Sequence, residues 1–211
     1  TKFVPDGSYL LDEVKIRTDQ KNIRPSFLRM YVRQNPNAKW FSLIKTQLYV
    51  YNLSGRDSTK WGNKFLRRIG DAPVIYSEDE AQRSEEEITK AVYNMGYMAA
   101  TVKRSTKVKK KKIKVYYDVT AGKPYVVQSI KYDIYDPKIA ALLKQDSARS
   151  LLKEGMYFDV NVLDADRQRI TNKLLRNGYY KFNKDYIGYT ADTVRNTYNV
   201  DLTQHLQMYK A

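Results

Sequence analysis

The feature that most constrains how this chain can fold is an internal repeat. "ITKAVYNMGYM", which begins at Ile88, aligns with "ITNKLLRNGYY", which begins at Ile170. Upstream, "YLLDEVKI" from Tyr9 aligns with "YVVQSIKY" from Tyr125. The two matches occur in the same order but at offsets of 82 and 116 positions. Two copies of one unit, the first with an insertion of about 34 residues, account for both matches.

Local signals predict the first elements of each copy. Residues 9–18 and 125–134 are rich in β-branched and aromatic residues, which is typical of strands. Asp136 followed by Pro137 predicts a capped helix start after the second of these strands. One helix with an apolar stripe is therefore expected to follow that strand, and it precedes a turn at Gly155.

The last helix of each copy has the clearest boundaries. Ser77, with Glu80 three residues later, predicts a capping box, and Gly96 predicts the helix end. In the second copy Asp164 or Asp166 is the predicted cap, and Gly178 is the predicted stop. Both glycines are expected in the left-handed conformation, where a side chain would be strained.

Two strands are predicted to follow each of these helices. Residues 113–119 alternate between apolar and polar side chains, which indicates a half-buried strand, and residues 99–108 supply its partner. In the second copy the strands are 186–194 and 198–202, joined by a turn at Arg195 and Asn196. The predicted class is therefore α+β, with two tandem β-α-α-β-β units, each a three-stranded sheet covered by two helices.

The predicted domains are residues 1–124, with the insertion at about 24–68, and residues 125–211. The insertion is predicted to be helical, and residues 41–52 are ambiguous between helix and strand. Core packing is the favoured role for its large apolar side chains, with a partner-binding surface as the alternative; these are Phe27, Leu28, Tyr31, Val32, Trp61, Phe65, Leu66 and Ile69.

Charge is the second unusual feature of the chain. The net charge is +15, and six of the eight residues from 107 to 114 are lysines. The predicted hairpin places Lys109, Lys110, Lys111 and Lys112 at its tip, where turn residues face water. A solvated tip is the favoured interpretation, followed by a patch for anionic lipid heads or an acidic partner, and last by a nucleic-acid site.

The sequence offers little for catalysis. It has no cysteine, and its one histidine, His205, is interpreted as an incidental surface residue. The carboxylates at 78–80 and 85–87 fall in the first turns of a predicted helix, where they stabilise the positive end of its dipole. "GRDSTKWG" lacks the lysine and hydroxyl ending of a phosphate-binding loop. We therefore predict a non-enzymatic protein without cofactor or metal.

The order of these segments resembles POTRA domains. The stretch "GYMAATVKRS" through "KIKVYYDVTAGKPYVVQSIKY" is similar to the end of one POTRA domain running into the next, and "KEGMYFDVNVLDADRQRITNKLLRNGYY" is similar to a second half. "TKFVPDGSYLLDEVKI", "YVRQNPNAKWF", "LYVYNLSG" and "RRIGDAPVIYS" resemble BamA/TamA-family proteins of Bacteroidota, especially the lipoprotein form TamL.

The resemblance implies a periplasmic scaffold for outer-membrane protein assembly, lipid-anchored in the full-length protein and followed by a C-terminal β-barrel absent from this chain. Its implied partners are unfolded outer-membrane proteins or other assembly subunits, bound by β-augmentation at edge strands. The alternatives are a basic nucleic-acid-binding domain, and a POTRA arm of a secretion or lipid-handling barrel.

The resemblance also implies which residues would act. The first strand of each final hairpin would be the edge, and a short linker would act as a hinge. The predicted edge residues are Thr101, Val102, Lys103, Arg104, Thr106, Val108, Tyr186, Gly188, Tyr189 and Thr190, and the hinge residues are Gly122, Lys123 and Pro124. Lys103, Arg104 and Lys107 would limit self-association and attract acidic clients.

Overall fold

The computed structural model describes residues 3–38, 45–55, 57, 59–194 and 197–207. The chain divides into two compact units: Thr1–Ala91 with Thr101–Thr120, and Val92–Ala100 with Ala121–Ala211. The predicted domain boundary between residues 124 and 125 remains a prediction.

The first unit contains three strands and most of the helices. Its strands are β1 (Leu10–Thr18), β2 (Thr101–Lys109) and β3 (Lys112–Thr120). Its helical segments are α1 (Pro25–Leu28) with a 3-10 turn at Arg29–Tyr31, α2 (Thr46–Leu53), α3 (Trp61–Ile69) and the long α4 (Glu78–Asn94), whose last turn groups with the second unit.

The second unit repeats this plan without the insertion. Its strands are β4 (Val126–Ile134), β5 (Ile187–Thr193) and β6 (Asn199–Leu206). Its helices are α5 (Pro137–Gln145), followed by a 3-10 turn at Ser147–Arg149, and α6 (Val160–Arg176); a further 3-10 turn at Lys184–Tyr186 precedes β5.

The two sheets have the same topology. Their strand orders are β1-β3-β2 and β4-β6-β5, and in each sheet the first strand is parallel to the middle strand while the hairpin is antiparallel. Each first strand carries a bulge at an equivalent place, between Leu11 and Glu13 and between Val127 and Ser129. The predicted fold class is confirmed.

Alternating residues of each middle strand form the cores. In β3 the side chains of Ile113, Val115, Tyr117 and Val119 are buried, and the Tyr117 hydroxyl donates to the Ala81 carbonyl of α4 at 3.1 Å. In β6 the corresponding buried residues are Val200, Leu202, Gln204 and Leu206.

Most predicted helix ends are confirmed. The Asp136 carboxylate accepts from the Lys138 and Ile139 N–H groups at 2.7 and 3.3 Å. Gly96 and Gly178 have φ of 95° and 94°.

The capping box at Ser77 is only half formed. The Glu80 N–H donates to Ser77 Oγ at 3.4 Å, but the Ser77 N–H donates to Gln34 Oε1 at 3.0 Å. The Glu80 carboxylate instead pairs with Arg33 at 3.1 Å. The insertion, rather than the helix itself, therefore completes this cap.

The predicted cap of α6 is wrong. The helix starts five or more residues before the predicted caps, and Asp159 caps it by accepting from the Asn161 N–H at 2.8 Å. Asp164 and Asp166 both lie inside the helix. Three aspartates within eight residues each satisfy the local capping rule, so only the three-dimensional packing selects among them.

The insertion is helical as predicted, but part of its core assignment is wrong. Leu28 and Val32 are buried, whereas Trp61 and Phe65 are 83% and 52% exposed and stack on each other with ring centres 6.0 Å apart. Residues 46–52 of the ambiguous stretch are helical, and residues 41–44 lie outside the described ranges. Side chains elsewhere in the insertion hold it to the unit, as Asn37 does by donating to the Ala72 carbonyl at 2.7 Å.

Candidate partner-binding edges

The first strand of each hairpin lies at the edge of its sheet, as predicted. Within the part of the chain that the structure describes, β2 pairs only with β3 and β5 only with β6. An edge strand presents every second residue's N–H and C=O outward, so the register decides which residues an incoming strand would meet.

The register of β2 follows from the hydrogen bonds of β3. The carbonyls of Lys111 and Val119 accept from the N–H groups of Leu10 and Asp19, at 2.8 and 3.3 Å, so odd-numbered residues of β3 face β1. Even-numbered residues of β3 therefore face β2, and antiparallel pairing places them opposite the odd-numbered residues of β2. The backbones that face outward are those of Val102, Arg104, Thr106 and Val108.

The register of β5 follows from its hydrogen bonds to β6 in the same way. The Gln207 N–H donates to the Tyr186 carbonyl at 2.9 Å and the Val194 N–H to the Asn199 carbonyl at 3.0 Å, so even-numbered residues of β5 face β6. Gly188 and Thr190, like Tyr186, therefore have their backbones turned inward. The outward backbones are those of Ile187, Tyr189, Ala191 and Thr193.

Two of the residues predicted in β2, Thr101 and Lys103, likewise have their backbones turned toward β3. The partner-binding role of the predicted edge residues remains a prediction. Amino-acid composition can show that a segment is a strand. It does not show which alternate residues turn their backbone groups toward the partner strand, because the strand repeats every two residues. For β2 the alternation of apolar and polar residues in β3 was a usable signal, because the pairing of the two strands continues without a shift from the two-residue turn.

The Arg104 side chain is not available to attract clients, contrary to the prediction. It is 17% exposed and donates to Glu85 at 3.1 Å, to the Tyr76 hydroxyl at 2.9 Å and to Glu78. These contacts join β2 to α4. They lower the pKa of Glu78, first through the Arg104 hydrogen bond, while burial and the hydrogen bond to Glu78 raise the pKa of Tyr76 to about 12.

Acid should destabilise the first unit through Glu78. A carboxyl whose folded pKa is depressed contributes stability above its unfolded pKa and loses that contribution as the pH falls through the folded value. We expect stability to decline below the ordinary Glu pKa of 4.5. The loss should be at most about 1 kcal/mol because the Glu78 side chain is 63% exposed.

This pH dependence is measured by urea denaturation between pH 7 and 3. Glu78→Gln should flatten the dependence of the free energy of unfolding on pH. Asp79 is in none of the ion pairs that the structure describes, so Asp79→Asn should leave that dependence unchanged. Equal slopes in wild type and Glu78→Gln would contradict the assignment.

The lysine-rich segment forms a hairpin tip, as predicted. Lys110 and Lys111 make a two-residue turn between β2 and β3, with Lys110 at a φ of 54°. Lys111 pairs with Asp6 at 2.8 Å, and Lys112 lies 4.0 Å from Asp12. The tip with its flanking Lys107, Lys114 and Tyr116 also lines a basic concavity of about 750 Å³.

The predicted hinge residues lie in the loop between β3 and β4. Gly122 is exposed with a φ of 74°, Pro124 is half-buried, and the Lys123 ammonium lies 5.7 Å from the centre of the Tyr198 ring. A hinge role remains a prediction.

His205, on β6, contacts a residue of each neighbouring strand, Asp133 of β4 and Thr190 of β5. Its Nδ1 lies 3.0 Å from the Asp133 carboxylate and its Nε2 lies 2.8 Å from Thr190 Oγ1. In the described ranges, no group of three or more His, Asp or Glu side chains is placed to hold a metal ion.

Sequence reasoning missed a buried polar network in the second unit. Asp166 is 1% exposed and accepts from Arg169 Nε at 2.8 Å and from the Leu151 N–H at 2.9 Å. Arg169 also donates to Asp146 at 2.6 Å, and Gln204 donates to the Tyr189 hydroxyl at 2.8 Å. Burial raises the pKa of Tyr189 to about 12. The i,i+3 spacing of Asp166 and Arg169 was the only signal of this network in the sequence.

Comparison with known proteins identifies the class. The chain matches the POTRA family, described as surface antigen variable number repeat, over residues 9–122 and 135–203. The chain belongs to the POTRA family. No curated protein sequence matches it.

Several solved structures are similar at low identity. BamA from Haemophilus ducreyi lacking POTRA domains 1–3 is 17% identical, with a TM-score of 0.45 over 95% of this chain and 30% of that chain. POTRA3–5 of Haemophilus influenzae BamA is 13% identical, with a TM-score of 0.38 over 98% of this chain and 100% of that chain. POTRA1–2 of the periplasmic domain of Omp85 from Anabaena is 14% identical, with a TM-score of 0.39 over 96% and 98%.

The chain spans less than a third of the BamA chain from Haemophilus ducreyi, 30% of its length. The Anabaena structure is described as part of the periplasmic domain of Omp85. Of the helices in the described ranges, none has the length and apolar character required to cross a bilayer.

Proposed function

We propose that this chain is a tandem POTRA segment of an outer-membrane assembly factor of the Omp85 type, and that it binds extended segments of unfolded outer-membrane proteins or assembly subunits. The observation that carries the proposal is that β2 and β5 each have one edge that no described residue pairs with, leaving four outward backbones on β2 and four on β5. The lipid-anchored TamL-like form from Bacteroidota, attached to its own C-terminal barrel, is the specific version that we propose.

Backbone pairing suits a scaffold that handles many clients. Hydrogen bonds from an edge strand are made by groups that every residue carries, so they recognise an extended conformation rather than a particular sequence. The exposed side chains of Lys103, Lys107 and Lys109 on β2 limit pairing with another copy, because charge on an edge opposes self-association. The same lysines favour clients with acidic residues.

The linker and the hairpin tip have supporting roles in this proposal. We propose that the units are residues 1–124 and 125–211 and that Gly122, Lys123 and Pro124 act as the hinge between them. The concavity at Lys109 to Lys112 favours anionic lipid head groups as a second contact. Nucleic acid would predict affinity that falls steeply with salt, which a filter-binding titration at two salt concentrations tests.

Proline substitution separates edge recognition from folding. The Thr106 N–H points outward, so Thr106→Pro removes one donor from the edge without breaking the β2-β3 ladder. The Ser105 N–H points to β3, so Ser105→Pro removes a hydrogen bond of the β2-β3 ladder and should destabilise the unit. We expect Thr106→Pro to keep the amide NMR spectrum of the folded wild type while it loses binding at β2.

The measurement is an NMR titration with a twelve-residue synthetic strand from an outer-membrane barrel, followed through amide shifts. Wild type should show shifts in β2 and β5, and Thr106→Pro should keep only those in β5. Shifts confined to helices, or unchanged β2 shifts in Thr106→Pro, would reject the proposal.

A further inference from the structure

The other edge of the second sheet, β4, is open along its last half. The N–H groups of Val126 and Tyr135 donate to the Tyr198 and Leu206 carbonyls, at 2.8 and 3.4 Å, and so face β6. After the bulge, the backbone N–H and C=O groups of Ser129, Lys131 and Asp133 also face β6. The backbones left facing outward are those of Ile130, Tyr132 and Ile134.

Only the start of β4 is covered on this side. The Val127 N–H donates to the Met156 carbonyl, and the Gly155 N–H donates to the Val127 carbonyl, both at 2.8 Å. In the described ranges, no hydrogen bond is made by the outward backbone groups of Ile130, Tyr132 or Ile134.

The equivalent edge of the first unit is occupied by the insertion. The carbonyl of Val14 accepts from the Arg29 guanidinium at 3.3 Å, and the carbonyl of Leu11 accepts from the Lys45 ammonium at 3.3 Å. Lys45 also donates to the Asp12 carbonyl at 2.9 Å. The second unit lacks the insertion, and none of its described residues caps the β4 edge in this way.

A cavity of about 410 Å³ lies beside this open edge. Its apolar wall comes from Tyr132 and Ile134 of β4, Ala140 and Leu143 of α5, and Ile170 of α6. The cavity is large enough for a phenylalanine or leucine side chain, and the wall is apolar as such a side chain requires.

The polar part of the wall contains two cations, Lys144 and Arg169, beside the neutral Ser147, Ser150 and Gln204. Arg169 is held by Asp146 and Asp166, with contacts of 2.6 and 2.8 Å, so its charge is balanced. Lys144, at the end of α5, has no ion pair among the described residues and lines the same cavity. A carboxylate on the occupant would therefore complement Lys144.

We infer that the open half of β4 and the adjacent cavity form a second docking site, which binds an extended polypeptide carrying a large apolar residue and an acidic residue two positions apart. An added strand would pair with the backbones of Ile130, Tyr132 and Ile134. Residues two apart in a strand share one face, so the apolar side chain enters the cavity while the carboxylate reaches Lys144. The inference rests on the proposed function and adds side-chain selectivity to it.

The test uses the whole chain and a fluorescein-labelled twelve-residue peptide of alternating Thr and Val, with one central Phe and a Glu two positions later. A matched peptide has Ala and Gln at those positions. Ala140→Phe fills the cavity, and Ala141→Phe places the same ring on the exposed side of α5 as a control. We expect the Phe–Glu peptide to bind about tenfold more weakly to Ala140→Phe than to wild type or Ala141→Phe.

A charge variant and amide shifts complete the test. Lys144→Gln should reduce the preference for the Phe–Glu peptide over its matched peptide, and wild-type shifts should include Ile130, Tyr132 and Ile134. Shifts in β2 and β5 alone would overturn this inference while leaving the proposed function intact, and no strand shifts at all would overturn both. Binding of dodecanoate in the cavity without peptide binding there would also overturn it.

Discussion

Replacing Gly96 with alanine should lower the free energy of unfolding by about 3 kcal/mol, from strain and steric overlap together. Gly96 has a φ of 95°, which L-residues rarely adopt. A Cβ at this position would lie 2.8 Å from the Phe158 carbonyl oxygen, a backbone atom that cannot move independently. The Gly96 carbonyl also accepts from the Tyr125 N–H at 2.8 Å, so shifting this turn would break a further hydrogen bond.

Gly178→Ala is the matched control, because Gly178 has nearly the same φ, 94°, but nothing within 4 Å of an added Cβ. It should cost about 1 kcal/mol from backbone strain alone. Urea denaturation of both variants separates the two causes. Equal losses would show that contact with Phe158 does not constrain this turn.

Asp166→Ala should destabilise the second unit by about 3 to 5 kcal/mol. The substitution leaves Arg169 half-paired and removes the acceptor for the Leu151 N–H. Losing one member of a buried ion pair costs more than the pair contributes, because the remaining charge stays desolvated. The loss should appear as a lower midpoint of urea denaturation, with an unchanged slope of the free energy of unfolding against urea concentration.

Asp164→Ala is the control on the same helix. Asp164 is 53% exposed and pairs with Lys184 at 3.4 Å, so its loss should cost less than about 1 kcal/mol. A larger cost for Asp164→Ala than for Asp166→Ala would contradict the structure's account of α6 and restore Asp164 as a helix cap.

Much of the fold was predictable because its signals are local. The strand segments, the Asp136 cap and the glycine stops each depend on a few neighbouring residues, and the repeat multiplies them. The candidate edges came from the POTRA resemblance rather than from periodicity. The sequence did not show that the backbones of Gly188 and Thr190 face β6, since a shift of one residue changes no compositional signal.

The insertion shows where local rules stop. An amphipathic pattern predicted that α3 buries Trp61 and Phe65, yet both are exposed, because the pattern identifies a helix face but not what covers it. Beside the buried Leu28 and Val32, polar side chains also hold the insertion: Gln34 and Asn37 donate hydrogen bonds to the distant carbonyls of Ile75 and Ala72. Such pairs are separated by about forty residues of chain and leave no periodic trace.

The sequence by itself determined the repeated unit, its α+β class, the hairpin with its lysine tip and the glycine helix stops, because each follows from spacing and backbone chemistry within a short segment. Tertiary structure alone decided which aspartate caps α6, which faces its strands present and which edges stay open. Those choices depend on burial and on hydrogen bonds between residues far apart in the chain. Arg29 and Lys45 bind the backbone carbonyls of the β1 edge, for example, whereas no residue that the structure describes binds the last half of the β4 edge.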